Sequence, residues 1–372
     1  MSLTDQAAQV NSSLKCKNCG ATLQFEPGKH SLICSYCGVE NEIATSPAAD
    51  IHSFDYNEFI AGNISPQSTM EKVMVKCGGC GASVDLPPGV TSDNCPFCAS
   101  PLVISLTNSV SILKPHYVLP FIIDTQTAQD AFKKWMKDLW FAPSDLIKKV
   151  NDGSSRQLQG IYVPYWSYDT DVVTNYSGNR GDAYYTTETY TVSENGEDRT
   201  ETREVRHINW TPVSGTISVA FEDVLVSASP SLPQKIADTL QPWQMDKLEA
   251  FDERYLSGFR SETYQTDAAA AFETAKREMD PAIRNAINRD IGGDEQSILS
   301  YQNNYNDTAL KYILLPVWLS AYRYNEKLYH FVVNACTGHV AGERPYSAPK
   351  IILAVLFGLA VLVALYFMLQ NK

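Results

Sequence analysis

The chain has few basic residues and no basic run. Lysine and arginine together number 30 against 42 aspartates and glutamates, which gives a formal charge of −12. A protein that binds duplex nucleic acid usually carries a basic stripe that displaces counterions from phosphate. The composition therefore argues against nucleic-acid binding as the main property of the chain, without excluding a local basic patch.

The sequence also lacks the motifs on which common catalytic sites are built. It has no GxxxxGK[ST] or GxGxxG between a strand and a helix, no GxSxG elbow, no kinase signature and no HExxH. Two glycine-containing segments, 177–181 and 291–294, match neither phosphate-binding pattern, and we interpret both as tight turns. The six histidines are scattered, and we expect the lone Cys336 to be buried. We predict no catalysis; a cryptic hydrolase is the alternative.

Eight of the nine cysteines form four CxxC pairs that belong to two matched sets. In each set the pairs are fourteen residues apart, and every cysteine of the second set lies 61 positions after its counterpart. The intervening residues also repeat, since GATL at 20–23 recurs as GASV at 81–84 and PG at 27–28 recurs at 88–89. The sets are Cys16, Cys19, Cys34 and Cys37, then Cys77, Cys80, Cys95 and Cys98.

Each set resembles a zinc ribbon, at 14–38 and 75–100. Four thiolates suit tetrahedral Zn²⁺ and leave no open coordination position, so we predict two structural zinc ions. Because a unit of about 25 residues buries little apolar area, metal should supply its folding free energy, and each ribbon should unfold by itself when a ligand is lost. Iron in a rubredoxin-like site uses similar spacing, whereas redox-active pairs would need a surrounding βαβ pattern that is missing here.

The segments before and between the two zinc ribbons are predicted to be a flexible terminus and a linker. Residues 1–13 have no apolar core of the kind a secretory signal needs, so we expect a flexible N-terminus and no export. Residues 39–74 mix Pro, Ser, Asn and Ala, as linkers do. A short apolar cluster within this linker predicts one or two helical turns; its members are Ile51, Phe54, Tyr56, Phe59 and Ile60.

Residues 101–346 predict a tyrosine-rich α+β body with a mainly antiparallel sheet. Apolar residues at helical spacing predict a helix at 127–140, which Pro143 ends. Alternating patterns at 184–192 and 201–210 flank an Asn-Gly pair at 195–196, which suits a type I′ hairpin turn.

The second half of the body repeats the order of helix and sheet. An alanine-rich helix is predicted at 266–288, where Pro281 should kink or split it. Strands follow at 312–324 and 327–335. A fainter repeat relates Tyr117-x₃-Phe121 to Tyr255-x₃-Phe259, which reflects either an internal duplication or chance.

The most apolar stretch is residues 351–369, nineteen residues without a charge. As a helix it would be about 28 Å long, close to the thickness of a bilayer's hydrocarbon layer. We predict a transmembrane tail anchor at 350–370, and a buried core helix is the alternative. Lys350 and Arg344 flank the large domain, so the positive-inside tendency predicts a single-pass protein of the inner or plasma membrane with its bulk in the cytoplasm.

Together these motifs resemble bacterial tail-anchored tandem zinc-ribbon proteins often labelled as primosomal or replication-helicase-like. The resemblance implies a setting with phage-shock-type envelope-stress proteins and with flotillin-like or virion-core-like partners, in which the anchored protein recruits others to the membrane. The motor motifs of a helicase are missing from the sequence. Besides the paired ribbons, the resemblance rests on segments 119–121, 163–166, 177–181, 255–259, 314–318 and 342–347 before the final apolar stretch.

The leading hypothesis is a non-enzymatic, cytoplasm-facing adaptor that recruits protein partners to the membrane. In it the apolar stretch localises the protein, the body forms the main partner surface and the ribbons form a second docking module. The alternative is a DNA- or RNA-associated replication factor that uses the ribbons and has no motor activity.

Overall fold

The computed structural model describes residues 14–43, 53–62, 69–85, 92–98, 100–103, 109–149, 158–194, 197–325 and 327–370. Several predicted features lie outside these ranges: the N-terminus at 1–13, the turn at 88–89, the Asn195-Gly196 turn and Ile51 of the linker cluster.

The described chain is a mixture of helices and strands in which strands predominate, which confirms the α+β prediction. The helices are α1 Tyr56–Ile60, α2 Thr125–Lys137, α3 Leu146–Lys149, α4 Gln234–Thr239, α5 Ala268–Ile291 and α6 Ala348–Gln370, with short 3₁₀ turns at Met245–Lys247 and Glu253–Leu256. The strands are β1 Gln24–Phe25, β2 Ser31–Ile33, β3 Glu40–Glu42, β4 Phe54–Asp55, β5 Thr69–Lys76, β6 Ser83–Asp85, β7 Ser92–Asn94, β8 Pro101–Val103, β9 Ser109–Leu113, β10 Tyr117–Val118, β11 Gln159–Glu194, β12 Glu197–Ser227, β13 Glu249–Ala250, β14 Arg260–Ser261, β15 Glu295–Tyr324, β16 Lys327–Asn334 and β17 Val340–Gly342.

Three very long strands organise the main sheet. Strand β11 lies between β12 and β15 and pairs antiparallel with both. Strand β15 has 30 residues, which at about 3.3 Å per residue give a contour length of about 100 Å. The sequence pattern predicted strands in these regions but not their length, because polar residues on the solvent face interrupt the apolar alternation.

The hairpin of β11 and β12 extends beyond the third strand. Pairing of β11 with β15 begins at Gly181 opposite Glu295, whereas pairing with β12 continues to Glu194 opposite Glu197. This register confirms the predicted hairpin. Residues 182–194 and 197–209 thus form a two-stranded projection, which we name the distal ribbon, and its residues 184–190 and 201–204 are all exposed.

The strand pairing of the main sheet is irregular near its middle. The register shifts around Asp169 against both neighbouring strands, and Asp223 and Asp307 nearby have positive φ angles of 51° and 47°. The ammonium group of Lys311 lies between two carboxylates here, 2.8 Å from Asp169 and 2.9 Å from Asp223. These charges stabilise the sheet at the boundary between its core, where other elements cover both faces, and an extension in which only one face is covered.

Helix α5 covers one face of that extension. Its buried side chains, among them Ile283 and Ile287, pack on the sheet, and its carboxylates reach tyrosines: Tyr176 donates to Asp290 and Tyr301 to Asp280, both at 2.5 Å. The helix continues through Pro281 without a break. The expectation of a split was wrong, because buried side chains on both sides of the proline, Met279 and Ile283, keep both halves of α5 packed on the body.

The core of the body lies where the sheet is covered on both faces. Alternate residues of β11 point to opposite faces, so Tyr162 and Trp166 belong to one apolar cluster, and Ile161 and Val163 to the other. Buried tyrosines suit this core because their rings fill it while their hydroxyls reach nearby carbonyl oxygens; Tyr168, for example, donates to Ala268 at 2.6 Å.

Residues 53–62 of the linker pack against the main sheet. Strand β4 pairs with β15, and α1 forms the helical turn that the apolar cluster predicts. The ring of Phe59 lies 5.8 Å from that of Trp166, and the ring of Tyr56 lies 4.6 Å from that of Phe272. This part of the linker is therefore attached to the body.

Helix α6 is long and apolar enough to cross a membrane over Ala348–Leu369, and no residue of its apolar window is buried against the protein. A core helix of a soluble protein would be mostly buried. The preceding residues hold it beside the C-terminal end of β15, where Tyr322 donates to the carbonyl oxygen of Glu343 at 2.9 Å.

Candidate metal centres

Each CxxC pair forms a tight turn that directs two sulfur atoms to the same side. In the first turn, Cys16 N–H donates to the carbonyl oxygen of Ala21, and Gly20 N–H donates back to that of Cys16. Gly20 has a φ of +72°, a conformation that glycine adopts without strain. Gly38 and Gly81 occupy the equivalent place in two further turns, with φ angles of +73° and +81°.

These turns assemble the eight predicted cysteines into two groups of four. In each group the ligand sulfur atoms all lie within 4.8 Å of one another. The shortest pairs are Cys16–Cys37 at 3.6 Å and Cys19–Cys34 at 3.5 Å in one group. In the other group they are Cys77–Cys98 at 3.4 Å and Cys80–Cys95 at 3.6 Å.

Such sulfur separations fit a shared metal ion. A disulfide would need about 2.05 Å, whereas four thiolates about 2.3 Å from a central metal lie about 3.8 Å apart. The two groups are therefore compatible with two structural metal sites.

The first metal centre, ribbon 1 (residues 14–43), docks on one face of the body. Phe25 packs edge-on against Tyr255 at 5.3 Å, and its N–H donates to the carbonyl oxygen of Ser257 at 2.9 Å. The hydroxyl of Ser257 donates to the carbonyl oxygen of Leu23 at 2.6 Å. Leu23 and Phe25 are both buried and share an apolar cluster with Tyr162 of β11.

The second metal centre, ribbon 2 (residues 75–103), contacts the body at the segment that also holds ribbon 1. Its buried side chains, however, belong to the apolar cluster on the other face of the sheet. Ser261 donates to the Asp85 carboxylate through its N–H at 2.7 Å and its hydroxyl at 2.9 Å. Arg260 pairs with Asp93. Sequence reasoning missed this shared docking segment, Tyr255–Thr263, because no local pattern marks a surface that binds two distant units.

A buried carboxyl group lies behind ribbon 2. Glu262 is 2% exposed, and its main chain forms an isolated bridge with Val84. Its carboxyl group accepts hydrogen bonds from Ser229 at 2.6 Å, from the side-chain amide of Gln265 at 3.0 Å and from Ser231. Burial outweighs these bonds and raises the pKa of Glu262 to about 7.

The two glycine-containing segments meet each other at the base of the distal ribbon. Gly292 ends α5 with a φ of +66°, as a turn should, but Ser177–Gly181 runs through the middle of β11. The turn interpretation of the latter was wrong. A Cβ at Gly178 would lie 2.6 Å from the carbonyl oxygen of Ser297, so glycine is needed there for close approach to β15.

The remaining candidate side chains occupy ordinary structural positions. Cys336 is buried as predicted, and burial raises the pKa of its thiol to about 12. Burial lowers the pKa of His116 to about 4, and its Nδ1 accepts from the N–H of Tyr312 at 3.0 Å. His207 shares a hydrogen bond with Thr186 in the distal ribbon.

The chain is similar to the uncharacterized protein YdjG of Bacillus subtilis (strain 168), with 27% identity over 340 residues. The similarity covers 91% of this chain and 92% of that protein, so it extends far beyond the cysteine motifs. No family model matches the chain, and no solved structure matches it.

Proposed function

We propose that the protein is a non-enzymatic, membrane-anchored adaptor whose distal ribbon binds a protein partner. The observation that carries this proposal is the length of the hairpin that continues past β15 with no third strand of the described residues beside it. Isolated two-stranded hairpins are only marginally stable in water, and their free edges can accept a further strand. A partner that covers the distal ribbon would stabilise the hairpin and pair with its free edge.

The side chains of the distal ribbon suit a protein better than a nucleic acid. Tyr184, Tyr185 and Tyr190 are 50%, 62% and 39% exposed, and aromatic residues are enriched in protein interfaces. Residues 182–209 contain seven acidic residues and three arginines. This acidic balance would repel phosphate, which weakens the alternative of a replication factor that binds DNA or RNA.

The direction of the sheet supports a role at a distance from the membrane. Near the C-terminal end of β15, Tyr324 donates to Asp145 at 2.9 Å, close to the segment that holds the start of α6. The N-terminal end of β15 pairs with β11 at the base of the distal ribbon. A strand of about 100 Å contour length thus separates the anchor from the partner surface.

The flanking charges and the resemblance described above supply the cellular setting of the proposal. Lys350 and Arg344 precede the apolar helix, which favours a cytoplasmic body at the inner or plasma membrane. Envelope-stress proteins of the phage-shock type and flotillin-like proteins are the partner classes that the resemblance implies.

For the metal we propose zinc at both sites, in a structural role. Four cysteine ligands fill a tetrahedral Zn²⁺ site and leave no position for substrate. Elemental analysis of the purified chain should give two zinc ions per chain. One ion per chain, or iron in place of zinc, would refute the assignment.

A chain with a shortened distal ribbon tests the adaptor role. Ala183 pairs with Ile208, so an Asn-Gly turn can replace residues 184–207 and close the hairpin there. The shortened chain should keep its zinc and its membrane association but lose the proteins that the full chain recovers from solubilised membranes. Recovery of the same proteins by both chains would contradict the proposal.

Fluorescence anisotropy with labelled single- and double-stranded DNA tests the alternative function. The adaptor proposal expects no tight binding at moderate salt. Tight binding that weakens with salt and disappears when ribbon 1 and ribbon 2 are removed would favour the replication factor instead.

A further inference from the structure

The start of α6 is fastened to the loop that follows α2. The N–H of Ser347 donates to the carbonyl oxygen of Phe141 at 2.7 Å. The ammonium group of Lys350 donates to the carbonyl oxygens of Trp140 at 3.3 Å and Ala142 at 2.8 Å. These three bonds hold the loop at the level where the helix leaves the body.

The same loop exposes one large aromatic side chain. Leu139, Ala142 and Leu146 are buried, which fixes the loop on the body, whereas Trp140 is 80% exposed. Tyr346, just before the helix, is 61% exposed. Tryptophan and tyrosine are enriched where a membrane protein meets the headgroup layer, because one part of each ring system is apolar and another forms hydrogen bonds.

The surroundings of Trp140 are basic although the chain as a whole is acidic. Residues 130–149 contain five lysines and three aspartates, and Lys133 pairs with Asp130 at 3.2 Å. Lys134 and Lys137 are exposed in the last turn of α2. Of the other two aspartates, Asp145 accepts a hydrogen bond from Tyr324, and Asp138 forms the C-cap of α2 through its main-chain N–H.

The side of the loop nearest α6 is also basic. The guanidinium group of Arg344 lies 5.3 Å from the centre of the Tyr346 ring. Arg344 and then Lys235 lower the pKa of the Tyr346 hydroxyl, which places both cations near this aromatic ring. Nearby acidic groups include Glu343, 3.7 Å from His330, and Asp238, which accepts from Gln234.

We propose that residues 134–142 and 344–350 form a membrane-facing surface that binds the headgroups of anionic phospholipids, with Trp140 in the interfacial layer. The inference rests on the proposed membrane anchor, since α6 determines which side of the body meets the bilayer. Lysine and arginine attract anionic headgroups, and an interfacial tryptophan fixes depth. The contact would hold the body in one orientation, so the distal ribbon would point away from the membrane.

The test uses the full chain in lipid nanodiscs that contain bromine-labelled lipids, which quench tryptophan at the upper acyl chains. The sequence has six tryptophans, so the signal of Trp140 is the difference between the natural chain and Trp140→Phe. In discs of brominated phosphatidylglycerol the Trp140 fluorescence should be about two-fold or more weaker than in discs of the same lipid without bromine. In phosphatidylcholine discs the corresponding loss of fluorescence should be smaller. Trp210→Phe is the matched control, because Trp210 is 44% exposed beside the distal ribbon and should not be quenched.

Charge is tested by Lys134→Gln combined with Lys137→Gln, which should remove the difference between the two lipids. Zinc content and circular dichroism of each variant check that it is folded. Equal quenching of Trp140 in both lipids would overturn the anionic headgroup as the ligand.

Co-elution of the protein with the discs reports separately on α6. If the chain co-elutes but Trp140 in the discs is at least as accessible to aqueous iodide as Trp210, the membrane-facing surface is refuted and the anchor stands. A chain that does not enter the discs would refute the anchor and this surface together.

Discussion

The hydroxyl of Ser257 donates a hydrogen bond to the carbonyl oxygen of Leu23, 234 residues earlier in the sequence. Four residues after Ser257, Ser261 makes two hydrogen bonds to Asp85. One short segment of the body therefore holds both metal-binding units, and each unit contributes side chains to an apolar cluster of the body. The stability of the units and of the body should be linked.

Loss of the metal from ribbon 2 should weaken the body as well as the ribbon. We expect Cys77→Ser to reduce the metal content by one ion. We also expect it to lower the main melting midpoint by about 5 °C or more, because unfolding of ribbon 2 withdraws Ala82 and Val84, both 0% exposed, from the apolar cluster that it shares with the body. The spacing of the cysteines had predicted independent unfolding, whereas the packing predicts coupled unfolding.

Cys80→Ser is the matched control for this prediction. Cys80 is an exposed member of the same group, so its loss removes the metal without removing a buried side chain. Both variants should lower the midpoint equally in calorimetry. An unchanged midpoint of the body in both variants would refute the coupling.

Removal of the ammonium group of Lys311 should destabilise the irregular middle region of the sheet. Burial by itself would lower the pKa of Lys311, but the carboxylates of Asp169 and Asp223 raise it, so the lysine is charged at neutral pH. Lys311→Met leaves two carboxylates without their cation. We expect a loss of about 2 kcal/mol in the free energy of unfolding, measured by urea denaturation in detergent.

Arg203→Met provides the control for Lys311→Met. Arg203 pairs with Glu188 at 3.0 Å on the exposed distal ribbon, where solvent screens the charges. Its loss should change the free energy of unfolding by less than about 0.5 kcal/mol. Equal effects of the two substitutions would show that the buried position of Lys311 has no energetic consequence.

The buried carboxyl group of Glu262 should make stability depend on pH. Its pKa is about 7 in the folded chain against an ordinary value of 4.5, so between these values the folded state holds a proton that the unfolded state has lost. The free energy of unfolding therefore falls as pH rises through this window, by about 3 kcal/mol in total.

Glu262→Gln should remove that pH dependence. The amide keeps the shape of the side chain and stays neutral, so the variant should be more stable than the natural chain above pH 7 and similar to it near pH 5. Urea denaturation across this range measures the effect. Glu204→Gln, on the exposed distal ribbon, is the control and should leave the pH dependence unchanged.

Features with short-range causes could be predicted from the sequence. The two cysteine groups follow from local CxxC turns, and the hairpin that joins Glu194 to Glu197 follows from the turn residues between them. The apolar helix follows from its composition. In each case the residues that cause the structure lie within a few positions of one another or repeat at a fixed spacing.

Features with long-range causes could not be predicted. Ser177–Gly181 resembles a turn in sequence. Glycine is required at position 178, however, because β15 approaches closely there, and β15 lies more than a hundred residues away in the chain. The attachment of Phe59 to Trp166 and the shared docking segment depend in the same way on partners distant in the chain. A single sequence carries no sign of which distant surfaces meet.

The most direct test of the adaptor proposal is photo-crosslinking in intact cells from a residue on the distal ribbon. A photoreactive amino acid at Thr187, exposed on the distal ribbon, is compared with one at Ser218, exposed on β12 where β11 also pairs with β15. The proposal predicts a discrete protein adduct from position 187 and none from position 218. Equal labelling from both positions, or adducts with nucleic acid alone, would contradict it.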